Sequence, residues 1–120
     1  MRARHHELEA WRQAIALVKE VYAMTKRFPG EEMYGLTSQM RRAAVSVPSN
    51  IAEGAARSSR KELIQFLVVA RGSLMELETQ GVIADELGYL DRPAREKFQR
   101  QLERTFALLS GLISALRKKE

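Results

Sequence analysis

Residues 41–62 read RRAAVSVPSNIAEGAARSSRKE, and the fold turns on how Pro48 is taken. The stretch is too apolar for a linker and too polar for a simple core helix. Its apolar positions give the answer. Leu36, Met40, Ala43, Val47, Ile51 and Gly54 keep helical steps of three and four across the proline. Two independent helices need not preserve that phase. The segment therefore reads as one helix kinked at Pro48, where the ring removes an N–H donor and crowds the preceding turn. The rival reading starts a new helix at Asn50, with Glu53 three residues on as a capping partner.

Working outward, turn signals divide the rest of the chain. KRFPGEE (26–32), AARSSR (55–60) and GYLDRP (88–93) are the punctuation. The first segment spans about Glu7 to Arg27, with Leu8, Trp11, Ile15, Val18 and Tyr22 as its core stripe. The third opens at Ser59 with Glu62 in capping-box position. Its stripe is Leu63, Leu67, Ala70, Leu74, Leu77, Gly81 and Ala84, and Gly88 is the expected left-handed C′ residue. The fourth starts near Asp91 as N-cap, with Pro93 in its first turn and a stripe of Phe98, Leu102, Thr105, Leu109, Leu112 and Leu116. No segment alternates like a strand. Four amphipathic helices with short loops predict one all-α domain over residues 1–120, an antiparallel up-down-up-down four-helix bundle.

Two helices have more apolar surface than a lone bundle needs. Ala14, Leu17, Val21, Met24 and Phe28 form a second stripe on the first helix, so apolar residues cover roughly 200° of it, about twice an ordinary core face. Ile64, Val68, Met75 and Val82 repeat this on the third. Soluble monomers rarely expose such patches, so Leu17, Val21, Met24, Ile64, Val68 and Met75 are the expected oligomer interface. The second helix is instead rich in small residues, among them Gly35, Ala43, Ala44, Ser46, Ser49, Ala52 and Gly54, which permit close backbone approach.

The bulk properties narrow the function. At 120 residues and 45% apolar content the chain is an ordered domain without room for a large enclosed active site. Cysteine is absent, which fits a reducing compartment and removes disulfide and thiolate chemistry. No apolar h-region opens the chain, and no run approaches the ~20 residues of a membrane span. A cytoplasmic location is expected. His5 and His6 are neighbours, which do not face one another on a helix, and a solvated role is expected rather than metal ligation. There is no Glu-x-x-His pair for a di-iron bundle, no activated nucleophile and no glycine-rich phosphate loop. The chain reads as no enzyme and needs no cofactor or metal.

Charge carries the remaining signal. The formal net charge is +5. Up-down-up-down topology gathers Arg2, Arg4, Arg57, Arg60, Lys61, Arg117, Lys118 and Lys119 at one end. Against Glu7, Glu9, Glu53, Glu62 and Glu120, that end carries +3. The other end sets Lys26, Arg27, Arg92 and Arg95 against six acids, a balance of −2. Arg117, Lys118 and Lys119 close a helix, where cations are favoured anyway. Arg60 and Lys61 open one, where positive charge is disfavoured by about 0.3–1 kcal/mol each. With Arg57 beside them they suggest a phosphate site at a helix N-terminus.

QMRRAAVSVPSNIAEGAAR (39–57), with FPGEEMYGL (28–36) and FLVVARGSLMELETQ (66–80), resembles the four-helix-bundle proteins encoded in intervening sequences of bacterial 23S ribosomal RNA genes. The resemblance covers nearly the whole chain. It implies a bundle assembled as a ring, commonly of five protomers, and a nucleic-acid-binding role without catalysis. Related bundles serve as accessory subunits of reverse transcriptases in diversity-generating retroelements. The family motif falls here on Arg41, Arg42, Ser49, Asn50, Glu53 and Arg57, and Arg41 and Arg42 join the expected nucleic-acid contacts. The expected partner is RNA or DNA. The alternative is a protein scaffold, such as an accessory to a reverse transcriptase.

Overall fold

The computed structural model describes residues 3–119, with Arg2 outside that range. It contains four long helices: α1 (Glu9–Thr25), α2 (Leu36–Ala55), α3 (Arg60–Glu86) and α4 (Arg92–Arg117). Each packs on its sequence neighbours, and α4 closes the bundle against α1. The body measures 46 × 26 × 20 Å, and no strand occurs among the described residues. Nor is any described helix long and apolar enough to cross a membrane.

The helix of the deciding stretch runs unbroken through Pro48, so the rival start at Asn50 is excluded. Asn50 sits inside the helix and uses its side chain locally. Its Nδ2 donates to the Ser46 carbonyl at 2.8 Å and to Ser46 Oγ at 3.0 Å. Ser46 Oγ in turn shares a hydrogen bond of 2.9 Å with Ser73 Oγ on α3. The small residues of α2 set the spacing to α3. A Cβ at Gly54 would lie 2.8 Å from Phe66 Cβ and 3.2 Å from the Leu63 carbonyl oxygen. Only a hydrogen fits there.

The expected helix ends are present. Ser59 Oγ accepts from the Glu62 N–H at 3.1 Å, and Asp91 Oδ1 accepts from the Ala94 N–H at 2.8 Å. Gly88 takes φ +77°. The Tyr89 N–H then reaches the Ala84 carbonyl and the Gly88 N–H the Asp85 carbonyl, both at 2.9 Å, a Schellman closure of α3. One cap was not foreseen. Glu32, in a short 3-10 turn before α2, accepts from the Leu36 N–H at 3.1 Å through Oε1 and from the Tyr89 hydroxyl at 2.9 Å through Oε2.

The two apolar stripes of α1 exchange roles. Ala14, Leu17, Val21, Met24 and Phe28 are the buried ones, Leu17 and Val21 completely so. Trp11, Ile15 and Val18 are half-buried, and Tyr22 is 40% exposed. The rotation of α1 is fixed by polar contacts on both flanks. Gln101 of α4 donates to the Gln13 carbonyl and side chain at 3.0 and 2.9 Å, and Arg41 of α2 donates to Thr25 Oγ1 at 2.9 Å. Ile64 is buried as well. Leu17, Val21, Met24 and Ile64 are therefore core residues, not interface residues. Val68, Met75 and Val82 keep their exposure.

Candidate nucleic-acid interface

The polar end expected from topology is assembled. Arg4, Arg57, Arg60 and Lys119 line one groove of about 290 Å³ with Leu63 and Leu116, and no acidic side chain among the described residues lines it. Arg60 Nη1 donates to the Lys119 carbonyl at 3.2 Å, tying the start of α3 to the tail of α4. Lys61, Arg117 and Lys118 are exposed, and with Arg4 they form no ion pair among the described residues.

Two details reduce what this end can offer. Arg57 sits 4.8 Å over the Phe66 ring and 3.8 Å from Glu53, so part of its charge is already matched. Glu62 places a carboxylate within the first turn of α3, where its Oε1 accepts from Ser59 Oγ at 3.1 Å. Its own N–H is taken by Ser59. The donors left there are the N–H groups of Arg60 and Lys61. The cationic side chains thus carry more of any anion site than the helix terminus does.

Arg41 and Arg42 do not join that end. Arg42 lies about 22 Å from Arg57 along α2, at ~1.5 Å per residue. Arg41 packs 4.5 Å over the Tyr22 ring and donates to Thr25, which holds α2 to α1. Arg42 is exposed and lines a second groove of about 580 Å³ with Tyr22, Met33, Tyr34, Arg41 and Val45. That groove also lacks acidic lining. Tyr34 is 96% exposed and Met33 49%. Sequence reasoning placed Tyr22 in the core and passed over Tyr34, which falls between the KRFPGEE turn and the stripe that starts at Leu36. A Met-Tyr pair in a turn that otherwise needs only small and polar residues was the available signal.

The histidines also differ from expectation. His6 stacks on Trp11 at 4.6 Å and His5 meets it edge-on at 5.1 Å, so they cap the half-buried indole. Among the described residues no group of three His, Cys, Asp or Glu could hold a metal ion. Of the remaining motif residues, Asn50 patches α2 and Glu53 pairs with Arg57, while Ser49 is exposed.

The model of the 23S rRNA-intervening sequence protein family matches residues 6–111. The fold is shared with the crystal structure of a protein of unknown function from the S23 ribosomal protein family of Bacteroides thetaiotaomicron. That similarity has a TM-score of 0.81 at 20% identity and covers 88% of this chain and 95% of the other. No curated protein matches the sequence. The chain belongs to the 23S rRNA-intervening sequence protein family.

Proposed function

We propose that this member of the intervening-sequence protein family is a non-enzymatic, oligomeric protein that binds RNA or DNA backbone through its basic end. One observation carries the reading. Arg4, the neighbouring Arg57 and Arg60, and Lys119 come from three distant parts of the chain and converge on one groove with no acid among the described residues that line it. Such convergence is costly to fold stability through like-charge repulsion, and an anionic ligand relieves it. Phosphate contacts carry no sequence information, so binding is non-specific or directed by shape.

A single protomer offers few contacts. A ring, five-fold by the family resemblance, repeats the basic end on one face and makes binding multivalent. The exposed Val68, Met75 and Val82 of α3 and the half-buried Trp11, Ile15 and Val18 of α1 are the apolar surfaces such an assembly would cover.

The test is the triple variant R57Q/R60Q/K61Q, titrated against RNA and DNA at several salt concentrations, with solution mass measured alongside. Each lost phosphate contact flattens the slope of log affinity against log salt by about 0.7–0.9. Unchanged affinity and slope with an intact fold would move the function to a scaffold whose cations meet an acidic protein, such as a reverse transcriptase. A monomeric wild type at micromolar concentration would remove the ring. V68E is the interface probe, expected to dissociate the oligomer and leave the protomer helical.

A further inference from the structure

We infer that the groove between the end of α1 and the start of α2 holds an unpaired nucleotide of the bound strand, its base stacked on Tyr34 and its phosphate on Arg42. The inference rests on the nucleic-acid reading above and adds a second, chemically different site to it.

Three observations point there. Tyr34 is 96% exposed, so its ring contributes almost nothing to the core and presents a face to solvent. Base–aromatic stacking needs such a face and tolerates any base. Next, two arginines line the groove and no acid among the described residues does. Glu76 lies on the adjoining groove that shares Arg42 and Ser46, so two cations stand against one nearby carboxylate and the balance favours an anion. Three other grooves of the molecule are lined by Glu20, Asp91 or Glu76. The groove at the basic end also has no acid among the described residues, but no aromatic ring lines it. Finally, the volume of about 580 Å³ lies in the range of small-ligand sites, and the half-buried Ser38 borders it with a hydroxyl.

The two arginines differ in role. Arg41 is held by Tyr22 and Thr25 and orients the groove wall. Arg42 is exposed and without an ion-pair partner among the described residues, so it is the phosphate contact. Duplex nucleic acid keeps its bases stacked inside and cannot offer one to Tyr34. The groove therefore discriminates single strands from duplexes, which the basic end alone does not.

The experiment compares wild type, Y34A, R42Q and R57Q/R60Q/K61Q on a 12-nucleotide oligo(A) RNA and on a blunt RNA duplex, with circular dichroism and light scattering on each protein. Y34A should lose about 5- to 150-fold in affinity for oligo(A), with duplex affinity, salt slope, fold and mass unchanged. R42Q should weaken oligo(A) binding and flatten its salt slope by about 0.7. The triple variant should weaken both ligands. Y34A binding oligo(A) like wild type, while the triple variant loses both, overturns the groove site and leaves the basic end standing. A change in solution mass with Y34A makes the groove a contact between copies and overturns it too. Wild type binding neither ligand removes both readings.

Discussion

The two ends of the bundle treat charge in opposite ways. At the end formed by the α1–α2 and α3–α4 connections, the charged side chains are fasteners. Arg27 meets Asp91 at 3.3 Å, Arg95 meets Asp85 at 3.2 Å, Arg92 meets Glu96 at 3.0 Å, and Glu32 bridges the Leu36 N–H and the Tyr89 hydroxyl. At the other end Arg4, Lys61, Arg117 and Lys118 meet no acid among the described residues, and Arg60 meets a carbonyl. Exposed ion pairs contribute only about 0–1 kcal/mol each, so neither arrangement is demanded by stability. The difference teaches that charges can be spent on joining loops or kept available to a ligand, and that pairing separates the two.

The sharpest way to break this contrast is to neutralise each end in turn. R57Q/R60Q/K61Q should lower nucleic-acid affinity roughly tenfold or more, since hydrogen bonds to charged groups are worth roughly 1.5–3 kcal/mol each. R27Q/R92Q/R95Q removes the same charge from the other end and should leave duplex affinity within about twofold, since those cations sit at the opposite end of a body 46 Å long from the basic groove, beyond a Debye length of ~8 Å. Equal losses in a salt titration would mean that net charge, not the assembled groove, is what binds.

Packing gives the next largest effect. Each end has a glycine closed over by a neighbour: an added Cβ would meet Phe66 Cβ and the Leu63 carbonyl at Gly54, and the rim of the Phe98 ring at Gly81. Added methyls in such places cost roughly 1–3 kcal/mol. G54A should cost more than G81A in urea denaturation. Backbone and Cβ atoms block Gly54, whereas a ring that can tilt blocks Gly81.

A smaller effect isolates the fastener at Glu32. The Leu36 N–H and the Tyr89 hydroxyl both stabilise its carboxylate and hold its pKa below the ordinary 4.5. A depressed carboxylate adds stability above its unfolded value and loses it as pH falls through the folded value. The same hydrogen bond, with burial, raises the Tyr89 pKa above 10.0, so the contribution also fades as pH rises through that raised value. Wild type should melt above E32Q by a constant margin from pH 5 to 9, and the margin should close on acidification. A margin that survives at pH 2 would mean that Glu32 acts by packing.

The smallest expected change is in the stability of Y34A, which should stay within about 0.5 kcal/mol of wild type in the same denaturant series. A larger drop would place Tyr34 among the supports of the loop rather than on a free face.

The sequence was most readable where a local rule acts on local atoms. Ser59, Gly88 and Asp91 each mark a terminus because the hydrogen bond or the positive φ involves residues within a turn of them. Helical phase across Pro48 was readable for the same reason. The rotation of α1 was not. Both halves of that helix are apolar, and the choice of core face depends on Gln101 and Arg41, which lie 88 and 16 residues from their partners. The basic end was legible because topology alone brings its members together. Tyr34 was missed because exposure of a turn residue depends on the loops around it, not on its own neighbours in sequence.

One consequence of the arrangement is optical. The single tryptophan, Trp11, lies near the start of α1 under His5 and His6, toward the basic end. All three tyrosines, Tyr22, Tyr34 and Tyr89, lie toward the opposite end or on the groove there. Indole and phenol emission are spectrally distinct, so the unlabelled protein has a separate colour channel for each end. A ligand that touches only one end should perturb one channel first, and the order in which the two respond along a titration would show which end a strand meets first.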